Sequence, residues 1–193
     1  MELRLPSPEQ LRTVYDRDLK ESFPPAELKP LRNMEKSWAE GWYKPYCLFD
    51  GDSIVGEAFL WLGHPGWALL DYLCVSGPRR SGGIGASILQ KLREQEEDTV
   101  IFGESEAPED APDPDMAVRR LGFYARCGAW DTHYTEHLFD AWFRILVLDC
   151  PGCASLAPEA VVEALADCYR RTISPTQWQK HVQFFAPDGS TYC

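Results

Sequence analysis

The apolar positions of the chain change period from one stretch to the next, and these changes outline the elements. Residues 2–5 form a short strand-like run. Ser7-Pro8-Glu9-Gln10 then opens a helix: Ser7 suits the N-cap, Pro8 the first helical position, and Gln10 can close a capping box. Leu11, Val14, Tyr15 and Leu19 form one apolar stripe along it. Phe23-Pro24-Pro25 must break this helix, because proline disfavours helical geometry in the preceding residue. A second helix is predicted over about 26–40. Residues 46–49 and 54–61 read as strands joined by the tight turn Asp50-Gly51-Asp52-Ser53. His64-Pro65-Gly66 turns the chain into an apolar run over 67–75, rich in aromatic and β-branched residues, that reads as a buried strand. After a glycine-rich turn, Ile84, Ile88, Leu89 and Leu92 share one face of a helix.

Residues 99–102 make a short apolar strand that runs out in Gly103-Glu104-Ser105-Glu106. A proline-broken loop and a helix over about 114–127 follow, with Gly128 placed as its C-cap. Residues 130–139 and 142–149 read as a hairpin. Pro158-Glu159 opens a last helix through about 169, and the pattern assigns no element from Gln177 on. The order β-α-α-β-β-β-α-β-α-β-β is mixed α/β.

Composition narrows the classes. With 193 residues the chain suits one domain with a substantial core. Thirty acidic residues against nineteen basic ones give a net charge of −11, which argues against general binding to nucleic acid or an anionic membrane. The N-terminus has no apolar signal region and no long apolar run spans a membrane, so a cytoplasmic protein is expected. Seven cysteines without a framework spacing fit reduced thiols.

The turn after the 67–75 strand carries the most specific chemistry. Gly77-Pro78 ends the strand and Arg79-Arg80-Ser81-Gly82-Gly83-Ile84-Gly85 leads into the helix. First-turn N–H groups lack partners, the helix dipole is positive there, and glycines let an anion approach the backbone; Arg79 and Arg80 add charge. A P-loop would need a lysine after the glycines, and a dinucleotide fingerprint a third glycine where Ile88 stands. The pattern Arg-x-x-Gly-x-Gly, with Val75 five residues before Arg80, resembles instead the acyl-CoA pyrophosphate loop of the GNAT superfamily of N-acyltransferases. The element order is also similar to that family, and Phe123-Tyr124-Ala125-Arg126-Cys127-Gly128 resembles its Phe/Leu-Tyr-x-x-x-Gly segment, though Ala129-Trp130 replaces the usual following phenylalanine. The resemblance covers about 48–139 well and the flanks by element order.

That resemblance implies a mostly antiparallel central sheet with helices on both faces and a splayed central strand pair holding acyl-CoA. It implies a domain over 1–150, with 151–193 as a C-terminal helical extension packed on it. It further implies acetyl-CoA as co-substrate, with contacts from Leu73, Cys74, Val75, Arg80, Ser81, Gly82, Gly83, Ile84, Gly85 and Ala86, and no metal. In the family the segment's tyrosine, here Tyr124, protonates the departing thiolate, and a backbone N–H near Val75 serves the oxyanion.

The attacking amine must lose a proton, and a carboxylate can take it. Glu104 and Glu106, at i and i+2 on an extended chain, point the same way; Asp71 on the central strand is the rival base. Glu104 is assigned as catalytic; Glu106, Asp71 and Phe23 are assigned to the acceptor site. Ten acidic residues and no basic one lie between Glu94 and Met116, so a cationic acceptor is expected: a small-molecule or peptide amine. The part from Glu94 to Asp98 reads as solvated. The alternative is a non-catalytic CoA-binding sensor or partner-binding module, and a monomer and a homodimer are both open. Cys150-Pro-Gly-Cys153 reads as a turn with two thiols. His133 and His137 have helical metal-pair spacing but fall where a strand is expected, so they read as ordinary histidines.

Overall fold

The computed structural model describes residues 1–25, 27–79, 82–148 and 155–192. Eight strands are hydrogen-bonded in the order β1-β2-β3-β4-β5-β7-β6-β8. They are β1 (Glu2–Arg4), β2 (Tyr43–Asp50), β3 (Ser53–His64), β4 (Trp67–Val75), β5 (Val100–Glu106), β6 (Trp130–Leu138), β7 (Ala141–Val147) and β8 (Val182–Phe185). The chain divides into two compact units, residues 1–62 with 70–96, and residues 63–69 with 97–193.

In the first unit, β1–β2 and β2–β3 pair antiparallel. The β2–β3 turn is Gly51-Asp52, as the sequence predicts, and Gly51 takes φ +61° there. Before the sheet come α1 (Pro8–Val14), a π-helical turn over Tyr15–Leu19, and α2 (Lys20–Ser22). The Ser7–Gln10 capping box forms in both directions. The predicted stripe holds: Leu11, Val14, Tyr15 and Leu19 are buried against Tyr43, Cys47, Phe49, Phe59 and Tyr72.

The second helix is shorter than expected. α3 spans Leu31–Ala39 with Pro30 as its N-cap, because Pro30 fixes an extended entry; the described residues 23–25 and 27–29 are not helical. Alternation along β2 sends Tyr43 and Cys47 toward α1, and Lys44 and Tyr46 toward α4 (Ile84–Gln95) on the other face. α4 buries Ile84, Ile88, Leu89 and Leu92 as predicted. A Cβ on Gly56 would come within 2.7 Å of Ile88 and 2.8 Å of the Cys74 carbonyl, so β3 needs a glycine where α4 seats.

In the second unit β7 lies between β5 and β6, antiparallel to both, and β8 extends the sheet beyond β6. Glu104, Ser105 and Glu106 belong to β5, since each has a partner on β7 (Ile145, Arg144 and Phe143). Among its described residues the unit also carries α5 (Pro114–Arg126), α6 (Pro158–Thr172) and α7 (Pro175–His181). α6 buries Val161, Val162, Leu165 and Cys168.

Candidate active site

The first unit carries the glycine-rich turn. β4 ends at Val75, a 3₁₀ turn covers Gly77–Arg79, and α4 begins at Ile84. Gly83 is the N-cap in the left-handed region, at φ +74°, and no side chain caps this helix. A Cβ on Gly83 would meet nothing within 4 Å, so here the backbone conformation, rather than crowding, requires glycine. Among the described residues, no side chain accepts from the first amides of this helix, those of Ile84, Gly85 and Ala86. This suits an oxyanion of a phosphate. Arg80 and Ser81 lie outside the described residues. Arg79 is exposed and pairs with Asp50 at 3.3 Å.

The Cys74 thiol points into the first unit, toward the helices that precede β2. The residue is buried, with Sγ 3.1 Å from the Ser22 hydroxyl and within 3.9 Å of the Asp18 carbonyl. Ile84 likewise gives its side chain to the core.

Asp71 sits in a built environment. Tyr43 donates to its Oδ2 at 2.6 Å and the Lys29 ammonium is bonded to Oδ1. Burial first, then the Asp71 charge, pushes the Tyr43 phenol well above its ordinary range, so it stays a donor. Phe23 packs edge-on against Tyr72 at 4.9 Å between centroids. Phe23 and Asp71, assigned separately from the sequence, are therefore joined through this tyrosine and the loop that carries Lys29, whose N–H donates to the Tyr72 hydroxyl at 2.9 Å.

A second acidic centre, which the hydrophobic pattern does not mark, lies in the same unit. Asp18 on the π turn is 5% exposed and Glu57 on β3 is 0% exposed. Arg17 bonds Asp18 through Nε at 2.9 Å and reaches the Ser76 hydroxyl and the Ile54 carbonyl, each at 3.2 Å. Burial, then the neighbouring Asp18, pushes the Glu57 carboxyl up to about 9. Burial would raise Asp18 as well, but the bonds from Arg17 hold it below its ordinary value. The pair thus carries one proton, on Glu57. The available signal was a lone glutamate inside the apolar run over 54–61.

Glu96 corrects the expectation of a solvated stretch over Glu94 to Asp98. It is buried and accepts from Lys44 at 2.7 Å and from Tyr46 at 2.6 Å. A residue following α4 falls back onto the sheet, where two polar groups of β2 await it.

The second unit holds the other assigned residues. Glu104 and Glu106 share a face of β5 but meet different partners. Glu104 Oε2 accepts from the Tyr169 hydroxyl of α6 at 2.7 Å, while Oε1 is buried and has no partner among the described residues. Glu106 pairs with Arg120 of α5 at 2.8 Å. Tyr124 follows Arg120 by one helical turn, on the same face. Its phenol is pushed up to about 12, chiefly by burial and against the pull of Arg120, so it remains protonated at neutral pH. Its ring packs on Phe123 at 5.3 Å. His133 and His137 lie on β6 as expected: His133 is exposed and His137 packs on Trp142. Among the described residues no three His, Cys, Asp or Glu side chains converge as metal ligands. Cys150 and Cys153 lie outside the described residues. No helix of the described residues is long and apolar enough to cross a membrane.

The order of elements and the placement of β7 between β5 and β6 define the chain as having the GNAT acetyltransferase fold. A protein assigned to the GNAT acetyltransferases from Bacteroides thetaiotaomicron is similar at a TM-score of 0.66 and 21% identity, covering 84% of this chain and 95% of its own. The ribosomal-protein-S18-alanine N-acetyltransferase of Escherichia coli gives 0.59 at 14% identity, over 76% and 92% of the two chains. Spermidine N-acetyltransferase of Vibrio cholerae, solved with CoA and spermine, gives 0.57 at 12% identity, over 76% and 94%. No protein-family model matches the sequence, and no curated protein matches it.

Proposed function

We propose that the protein is an N-acetyltransferase that moves the acetyl group of acetyl-CoA to a cationic primary amine. The observation that carries this reading is the N-terminus of α4, which has Gly83 in a left-handed conformation as its N-cap and no side-chain cap among the described residues, after β4 in a GNAT fold. In this reading the amides of Gly82–Ala86, with Arg80 and Ser81, take the pyrophosphate, and the backbone of Leu73, Cys74 and Val75 takes the pantetheine arm.

The reaction follows from the groups at hand. A neutral amine adds its lone pair to the thioester carbonyl carbon, and the resulting oxyanion is met by a backbone N–H near Val75. A carboxylate receives the proton released from nitrogen, directly or through water. Glu104 suits that role because its Oε1 has no partner among the described residues. Asp71, already holding an ammonium, suits the binding of a cation instead. Collapse of the intermediate breaks the C–S bond, and the protonated phenol of Tyr124 gives its proton to the leaving thiolate. The products are the amide and CoA thiol.

The acceptor is read as cationic because acidic groups dominate residues 94–116, and relatives of the same fold are named for spermidine and for a ribosomal-protein alanine. Glu106→Gln leaves Arg120 unpaired and positive, so KM for a cationic amine rises while that for acetyl-CoA holds. KM for the amine also rises with salt. Release of CoA thiol from acetyl-CoA is the deciding measurement, made with spermidine, an amino sugar, a basic peptide, and neutral and anionic amines. Thiol release with a cationic amine is expected. CoA binding without release for any amine overturns the catalytic reading and leaves a CoA-binding module.

A further inference from the structure

Lys29 ends its side chain in surroundings chosen for an ammonium. Its Nζ is bonded to Oδ1 of Asp71, a carboxylate only 7% exposed whose other oxygen accepts from the buried Tyr43 phenol. Two aromatic faces lie over the same nitrogen, Trp61 at 5.8 Å and Tyr72 at 5.7 Å from ring centroid to Nζ. Both distances fall within the reach of cation–π attraction, about 6 Å.

The way Lys29 is held separates its backbone from its head group. Its N–H donates to the Tyr72 hydroxyl and its carbonyl accepts from the Tyr15 hydroxyl at 3.1 Å, which fixes the loop. The side chain itself is 31% exposed and is free to leave by rotamer changes without moving that backbone. An alkylammonium arriving from solvent would find one carboxylate, one phenol donor to that carboxylate and two ring faces.

We propose that Asp71, Tyr43, Trp61 and Tyr72 form a recognition site for primary alkylammonium ions, and that Lys29 occupies it as an intramolecular stand-in which the amine acceptor displaces. The ammonium site stands on its own geometry; only the identity of its ligand as an acetyl acceptor rests on the function proposed above. Displacement makes the lysine a competitor. The apparent affinity for an external amine is the intrinsic one reduced by the fraction of protein in which the site is open.

The test uses the full chain without CoA. Lys29→Ala removes the side chain and leaves Asp71 without its cation, so the melting temperature falls. n-Butylammonium, which is the lysine side chain without its backbone, is expected to restore it in a saturable way, whereas n-butanol is not. The wild type is expected to respond far less. Adding Asp71→Asn to the alanine variant should abolish the response. If Lys29→Ala does not fold, Lys29→Met retains most of the stem packing and is titrated with butylammonium by calorimetry and Trp61 fluorescence. A folded variant with no ammonium-specific response, or a response that survives Asp71→Asn, overturns the site. For the displacement, KM for the amine should fall about tenfold in Lys29→Met if the site is open about a tenth of the time in the wild type; an unchanged KM overturns it. A variant that binds butylammonium in a protein that releases no thiol keeps the site and removes the acetyltransferase reading. Turnover with no gain in binding does the reverse.

Discussion

The Tyr169 hydroxyl donates to Glu104 Oε2 at 2.7 Å, and that bond makes a residue of α6 part of the surroundings of a polar strand end. The other oxygen of Glu104 is buried without a partner among the described residues. Tyr169→Phe therefore leaves this carboxylate short of its remaining described donor while keeping the ring packing. The loss is expected to be about 1–3 kcal/mol, the usual cost of stranding a hydrogen-bonding group. Chemical denaturation measures it, and adding Glu104→Gln should recover part of it. A wild-type midpoint in Tyr169→Phe would mean that water replaces the phenol freely.

Tyr124→Phe separates packing from proton donation. The ring on Phe123 is unchanged, so the melting temperature should barely move. Turnover under saturating substrates should fall about 100-fold, within the range for removing a general acid. Full activity, with chemistry rate-limiting, would leave Tyr124 a packing residue.

Gly83 at φ +74° gives a test of the cofactor site that does not require turnover. Gly83→Val forces a β-branched residue into a conformation that disfavours it and re-aims the first turn of α4. CoA raises the melting temperature of the wild type by binding the folded state, and that rise should vanish in the variant. An undiminished rise would place CoA elsewhere.

Glu57 sets a pH dependence whose sign follows from its environment. Buried on β3 beside Asp18, it is pushed up to about 9 from an ordinary 4.5. Between those values the folded protein holds a proton that the unfolded chain has released, so stability declines as pH rises. The contribution is complete below the unfolded value and is gone once pH passes the folded one. Asp18, held low, acts at the other end: its contribution is present above its ordinary 3.8 and is lost in acid. Glu57→Gln keeps the size and shape of the buried side chain and cannot titrate. Unfolding free energies measured from about pH 5 to about pH 9 should fall in the wild type and run flatter in the variant. Parallel curves would show that Glu57 does not carry the proton.

Local rules are legible in the sequence wherever one residue type decides the conformation. Ser7 and Gln10 announce the start of α1, Gly51 the β2–β3 turn, and Gly83 the entry to α4. Distant partners leave no such mark. The polar residues Glu104 to Glu106 extend β5 because β7 lies alongside, a tertiary override of their weak strand preference. Glu96 is buried because Lys44 and Tyr46, some fifty positions earlier, receive it. The same holds for Lys29 with Asp71, forty-two positions apart. The start of α4 is legible in the sequence for this reason: a glycine-rich helix start is built from neighbours, whereas the pairing of Lys29 with Asp71 is assembled from afar.

The π-helical turn at Tyr15–Leu19, closed by the Lys20 N–H on the Tyr15 carbonyl, works as a phase shifter. An α-helix advances about 100° per residue, so one extra residue in a turn sets everything beyond it back by about that angle. Ser22 meets Cys74, and Phe23 meets Tyr72, only at the present phase. A one-residue deletion within Tyr15–Leu19 would let the helix heal into regular α geometry and swing both side chains off their partners, together with the loop they lead into. Chain length at this point, more than the identity of an exposed residue such as Asp16, thus sets the direction in which the loop bearing Lys29 departs. Asp16 should tolerate many substitutions, whereas the segment as a whole tolerates almost no change in register.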